Sequence, residues 1–164
     1  MRDYDGFISQ WNTFHILPPN IQEFADLILD NTEGNITELG SGNGLLAAGL
    51  SFTNDGRFVQ AIDLVQPVAL GDYSFLCMDG NSAAFFETIK NETNLVGRRS
   101  LCLFFTPEWM DMVEKTAVKT IISQALDSEM GHVLRNAELE AAFLERRGWK
   151  TGIKNGHHVI ATRD

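Results

Sequence analysis

Apolar positions along this chain follow two rhythms. Ile21, Phe24, Ala25, Ile28 and Leu29 recur at i, i+3, i+4, i+7 and i+8, which is one face of a helix. Asn20 is placed to cap that helix, with Glu23 three residues on as in a capping box. Residues 31–34 read as a turn, and residues 36–39 as a short strand running into Gly40-Ser41-Gly42-Asn43-Gly44. Residues 45–50 are apolar and favour helix, and residues 58–64 form a buried strand with Asp63 at its end. A third strand, residues 73–78, ends at Asp79-Gly80, and Asn81 or Ser82 caps a helix carrying Phe85, Phe86 and Ile89. Residues 100–106 are the strongest apolar run and read as the fourth strand, with Pro107 opening the next helix. Residues 119–126 read as a fifth strand. Asn136 caps a helix with Leu139, Ala142 and Phe143 on its inner face, and Gly148 stops it.

The alternation of strand and helix then breaks. Residues 149–154 and 157–162 read as two strands joined by Asn155-Gly156, a strong short hairpin signal. Alternation implies a mostly parallel α/β sheet with helices on both faces, and the hairpin adds antiparallel strands at its C-terminal end.

Composition narrows the picture. With 164 residues, 44% of them hydrophobic, the chain has material for one core and is short for two domains. Residues 1–19, carrying Tyr4, Phe7, Trp11 and Phe14, form a leader or lid, and residues 20–164 form the domain. The 13 Lys and Arg against 22 Asp and Glu give a net charge of −9, which disfavours nucleic acid as the main partner without excluding a local basic patch. Cys77 and Cys102 lie in apolar runs with no CxxC pairing, so both read as small buried hydrophobes, and no metal site is expected. No signal peptide or membrane-length apolar run is present, so the expectation is a cytoplasmic protein without membrane contact, its two Asn-x-Thr sequons unglycosylated.

The chemistry concentrates in Glu38-Leu39-Gly40-Ser41-Gly42-Asn43-Gly44. Glycines at every second position after a strand allow a tight turn and let a ligand lie against bare backbone. Asp63 and Asp79 end the next two strands, at the sheet edge where open α/β folds bind ligands. Asp63 can accept from ribose hydroxyls and Asp79 from an exocyclic amine, and either can equally serve as a turn or capping acid. A dinucleotide fingerprint needs a third glycine at position 45, which is Leu45 here.

The E-x-G-x-G-x-G pattern, the spaced acid and the hairpin together resemble the class I S-adenosylmethionine-dependent methyltransferases, over most of the chain from residue 20 onward. The resemblance implies a Rossmann-like, seven-stranded sheet with an antiparallel strand near its C-terminal edge. It implies S-adenosylmethionine as cofactor. Glu38, Gly40, Ser41, Gly42 and Gly44 would cradle the methionine portion, with Glu38 near the ammonium. Asp63 would hold the ribose, Leu64 would lie against adenine, and Asp79, next to Gly80, would accept from the adenine amine. The activity implied is methyl transfer to a small-molecule or protein nucleophile. The alternatives are a noncatalytic partner or activating subunit of the same fold, and another use of the same cofactor. With so little added to the core, a second protein chain is a possible source of substrate recognition.

The acceptor side is less specific. Phe104-Phe105-Thr106-Pro107-Glu108-Trp109 loosely resembles the N-P-P-Y type motif of amino methyltransferases, but no Asn or Asp precedes the proline. Glu108 can orient or deprotonate an acceptor amine and Trp109 can wall the site or hold a cation, or they can be a first-turn acid and a core residue. His157 and His158 alternate faces on a strand, which would keep them from sharing a site. His15 lies on the leader. Arg98-Arg99 and Arg146-Arg147 read as solvated ends of elements, and Glu138, Glu140 and Glu145 as the wet face of the last helix.

Overall fold

A computed structural model describes residues 19–53, 56–98, 101–125 and 136–164. In chain order the elements are α1 (Pro19–Asn31), β1 (Ile36–Leu39), α2 (Leu45–Thr53), β2 (Val59–Asp63), β3 (Ser74–Cys77), α3 (Ala83–Thr88), β4 (Asn94–Gly97), a 3-10 turn (Leu101–Phe104), α4 (Pro107–Val113), β5 (Thr120–Gln124), α5 (Ala137–Arg146), β6 (Lys150–Lys154) and β7 (His158–Thr162). The leader residues Tyr4, Phe7, Trp11, Phe14 and His15 lie outside the described residues.

The seven strands form one sheet in the order β3-β2-β1-β4-β5-β7-β6. The first five are parallel, and β7 runs antiparallel to both β5 and β6. This is the expected mostly parallel α/β sheet closed by a C-terminal hairpin. Strand side chains alternate between two cores, as the pleat requires. Ile36, Val59, Ala61, Val96 and Ile122 face α1 and α2. Leu39, Ile62, Leu95, Ile121 and Val159 face α3, α4 and α5. The two-sided burial explains why these strands read as short continuous apolar runs.

Local chemistry sets the helix starts. Ser82, Thr106 and Asn136 each accept the amide N–H three residues on with their side-chain oxygen. Gly148 ends α5 at a φ of 92°.

Several expectations are corrected. The fourth strand is Asn94–Gly97, not residues 100–106. Asn94 is buried, and its side-chain amide donates to the carbonyls of Glu33 and Asn35, stapling β4 beneath β1. The 100–106 run supplies the 3-10 turn instead, whose Leu101 and Cys102 fill the core. The buried face of α5 is Ala137, Glu140, Ala141 and Leu144; of the expected inner residues, Phe143 packs against the core, stacked on Phe105, while Leu139 is 52% exposed. Glu140 therefore lies inside, where its carboxylate accepts from the Ser123 hydroxyl at 3.0 Å. Arg147 is no solvated end, because it forks onto both carboxylate oxygens of Glu114 at 2.9 Å and also reaches Asp111. Cys77, on edge strand β3, is exposed, and only Cys102 is buried.

Candidate functional site

The glycine loop joins β1 to α2 at the carboxyl edge of the sheet. Gly40, Gly42 and Gly44 adopt φ values of 77°, 56° and 84°, a region costly for other residues. Four of the five loop amides are already engaged, mostly by the end of β2. Gly40 N–H and Ser41 N–H donate to the Ile62 carbonyl at 2.8 and 3.2 Å, and Gly44 N–H donates to Ser41 at 2.9 Å. Gly42 N–H donates to Asp63 Oδ2 at 2.7 Å. A loop with these donors engaged is poorly suited to cradle a phosphate.

What the loop does offer is acid. Glu38 points from β1 into the interior at 0% exposure. Neither of its carboxylate oxygens has a hydrogen-bond partner, and the buried Ser41 hydroxyl has none either. Burial pushes the Glu38 pKa up to about 8, against a downward pull from the Arg98 guanidinium; the Asp63 charge adds to the rise and the Ala47 amide opposes it. An orphaned buried acid of this kind is costly unless a cation reaches it. It fits the ammonium of an amino-acid moiety.

Asp63 closes the other side. Its Oδ1 accepts the Leu64 N–H at 2.6 Å while its Oδ2 holds Gly42. Each carboxylate oxygen has two acceptor sites, so these bonds fix the carboxylate and leave capacity for ligand hydroxyls. Leu64 beside it is 65% exposed. Asp79 is exposed, and its Oδ1 accepts the Asn81 N–H at 2.9 Å.

Two of the glycines have packing roles that sequence alone does not show. A Cβ on Gly44 would lie 2.5 Å from Tyr73 Oη and 2.7 Å from Pro67 Cβ. The segment after β2 is thus folded down on the loop, with Val68 and Ala69 N–H both donating to the Asn43 carbonyl. A Cβ on Gly80 would strike Phe104 and Leu39 at 2.7 and 2.9 Å. Gly42, by contrast, has open space beside it.

On the acceptor side, Trp109 is buried at 4% exposure. Its indole N–H donates to the Gly80 carbonyl at 2.8 Å, and its ring packs among Phe85, Phe86, Phe104 and Phe105. The structure puts Trp109 in the core, where it anchors α4 to the loop after β3 and has no face free for a substrate. Glu108 is exposed on the first turn of α4. Because β4 ends at Gly97, the residue following it is Arg98, which sequence reasoning had not connected with Glu38. Pairing β4 with β1 brings the two ends together.

No family model and no curated protein matches this sequence. Solved structures do resemble the fold. A SAM-dependent methyltransferase from Aquifex aeolicus superposes at a TM-score of 0.61 with 14% identity, over 99% of this chain and 97% of that one. An O-methyltransferase family protein from Burkholderia thailandensis gives 0.63 at 14% identity, over 89% of this chain, which spans only 55% of that protein. A cyclopropane-fatty-acyl-phospholipid synthase-like protein from Lactobacillus casei gives 0.64 at 14%, over 90% and 76%. The chain has the class I methyltransferase fold. Among the described residues no helix is long and apolar enough to cross a membrane.

Proposed function

We propose that this chain binds S-adenosylmethionine at the β1 and β2 ends and transfers its methyl group to a small-molecule or protein nucleophile. The observation that carries the reading is Glu38, a buried carboxyl without a hydrogen-bond partner, beneath a glycine loop whose Gly40, Ser41, Gly42 and Gly44 amides are already engaged. That arrangement favours a cationic ligand over a phosphate. Glu38 would take the ammonium, with the Ser41 hydroxyl beside it. Asp63 would hold the ribose hydroxyls, Leu64 would lie against the adenine, and Asp79 would accept from its amino group, with Gly80 alongside. Gly40, Gly42 and Gly44 would give the methionine portion its path.

When bound, the sulfonium supplies an already activated methyl group. The protein's task is then to align the acceptor and exclude water, which can lower a barrier by several kcal/mol without a strong base. Glu38 would hold its proton near neutral pH while the site is free and release it when an ammonium arrives. Glu108 is the remaining candidate to orient an acceptor amine. The Trp109 bond to Gly80 keeps the start of α4 beside the donor site.

The test is turnover. The purified chain, given methyl-labelled donor and fractionated small molecules or protein extract, should produce S-adenosylhomocysteine and a labelled acceptor, and Asp63→Ala should abolish both. Donor binding without demethylated product from any fraction would favour a noncatalytic partner role.

A further inference from the structure

The His157-His158 pair does not behave as a strand pair. The register couples Lys154 with His158, so the hairpin connection has three residues, Asn155, Gly156 and His157. Asn155 and Gly156 both take positive φ, 54° and 76°. His157 therefore sits in the turn, outside the strand alternation, and its ring folds back to 4.1 Å from that of His158, centroid to centroid. The expectation that the two imidazoles point to opposite faces is overturned by one residue of turn length.

His158 is fully buried. Phe24 of α1 stacks flat on its ring, with centroids 5.0 Å apart and planes within 9°. Its Nδ1 has no hydrogen-bond partner and faces Glu23 Oε1 at 4.0 Å. Its Nε2 lies 3.5 Å from the side-chain amide of Gln124, whose Oε1 is also buried and without a partner. One ligand atom from each of Glu23, His157 and His158 lies within 4.8 Å of the others.

We propose that Glu23, His157 and His158 form a binding site for a first-row divalent metal ion of the zinc class. Two imidazoles and one carboxylate are a ligand set for zinc or ferrous iron, with a position left for water. Bonds of about 2.1 Å in tetrahedral geometry set ligand atoms about 3.4 Å apart. The Glu23–His158 gap of 4.0 Å closes with a shift of about 0.6 Å by rotation of the half-exposed Glu23 side chain, and the remaining separations, all within 4.8 Å, close by turning the His157 side chain on its turn. His158 would bind through Nδ1. A half-turn of the Gln124 amide would let Oε1 accept the Nε2–H, the outer-shell bond that fixes a metal-binding tautomer. The site ties α1 to the hairpin. It stands at the start of β7, three strands from β1 and its glycine loop and so about 14 Å along the same edge, and does not depend on the donor reading.

The full chain, stripped with a chelator, should take up one equivalent of Zn²⁺, measured by competition with a chromophoric chelator. Co²⁺ in its place should give the intense visible absorption of a low-coordinate site. Zn²⁺ should raise the thermal unfolding midpoint of the wild type. Glu23→Gln and His157→Ala, in a half-exposed helix position and a turn, should keep the wild-type circular dichroism yet each bind at least tenfold more weakly, and the double variant should not respond to Zn²⁺. Failure of the wild type to hold one equivalent overturns the proposal. So does undiminished uptake by the folded double variant.

Discussion

Replacing Glu38 by Gln should stabilise this protein and disable its donor site together. The carboxyl is fully buried and its pKa rises from 4.5 to about 8, chiefly through burial. Below pH 4.5 both folded and unfolded chains hold the proton, and Glu38 adds no pH dependence. Between 4.5 and about 8 the unfolded chain has lost the proton and the folded chain keeps it. Folding then takes up a proton, so stability falls as pH rises through that window. The gap of about 3.5 pH units, at about 1.4 kcal/mol each, sets an upper bound of about 5 kcal/mol. That is large beside the 5–15 kcal/mol typical of a domain. Gln fills the same space without the charge. Urea denaturation of both proteins at pH 5, 6.5 and 8 should show the variant gaining stability relative to wild type at each step. Donor affinity at pH 7.5 should fall at least tenfold in the same variant. Equal unfolding midpoints at pH 5 and pH 8 would refute the burial argument.

Other substitutions should behave as follows. Gly44→Ala places a methyl group against Tyr73 and Pro67 at a φ of 84°. It should cost about 3 kcal/mol in thermal unfolding and loosen the segment after β2 in hydrogen exchange. Trp109→Phe removes the hydrogen bond to the Gly80 carbonyl and should cost about 1–3 kcal/mol in thermal unfolding; because that bond holds the Asp79-Gly80 turn, S-adenosylmethionine affinity measured by titration should fall with it. Arg147→Ala strips Glu114 of the hydrogen bond that, ahead of the one from Trp149, holds its pKa below the usual value. The loss should be about 1–2 kcal/mol at pH 7 and shrink as pH falls below 4.5, because Glu114 contributes stability only where it is ionised. Urea unfolding at pH 7 and pH 3.5 checks this.

Much of the fold was legible because it is written in local chemistry. Residues 36–39 read as a strand ending at a glycine loop, and β1 has those bounds. The caps at Ser82 and Asn136 and the stop at Gly148 follow from backbone donors and positive φ. The misreadings share a different cause. Asn94-Leu95-Val96-Gly97 carries only two large apolar residues, and its place in the sheet depends on an Asn94 side chain bonded 59 and 61 residues away. The periodicity of α5 fits Leu139, Ala142 and Phe143 as well as Ala137, Ala141 and Leu144. The second face is the more deeply buried although it contains Glu140, because the Ser123 hydroxyl on β5 donates to that carboxylate, and of the first face Phe143 still packs against the core. The histidine pair turned on whether the hairpin loop holds two residues or three. At the candidate site, the sequence pointed to Glu38 and Asp63 as acids near a loop. Only the fold shows that Asp63 holds the Gly42 amide of the loop while Glu38 is buried without a hydrogen-bond partner.

The central claim is that Glu38 waits, protonated, for a cationic donor. Isothermal titration of the chain with S-adenosylmethionine at pH 7, repeated in buffers of different ionisation enthalpy, tests it most directly. The account predicts one-to-one binding in the micromolar range, with close to one proton released per donor bound in wild type and no such release in Glu38→Gln. Absence of binding, or binding with the same proton release in wild type and variant, would contradict it.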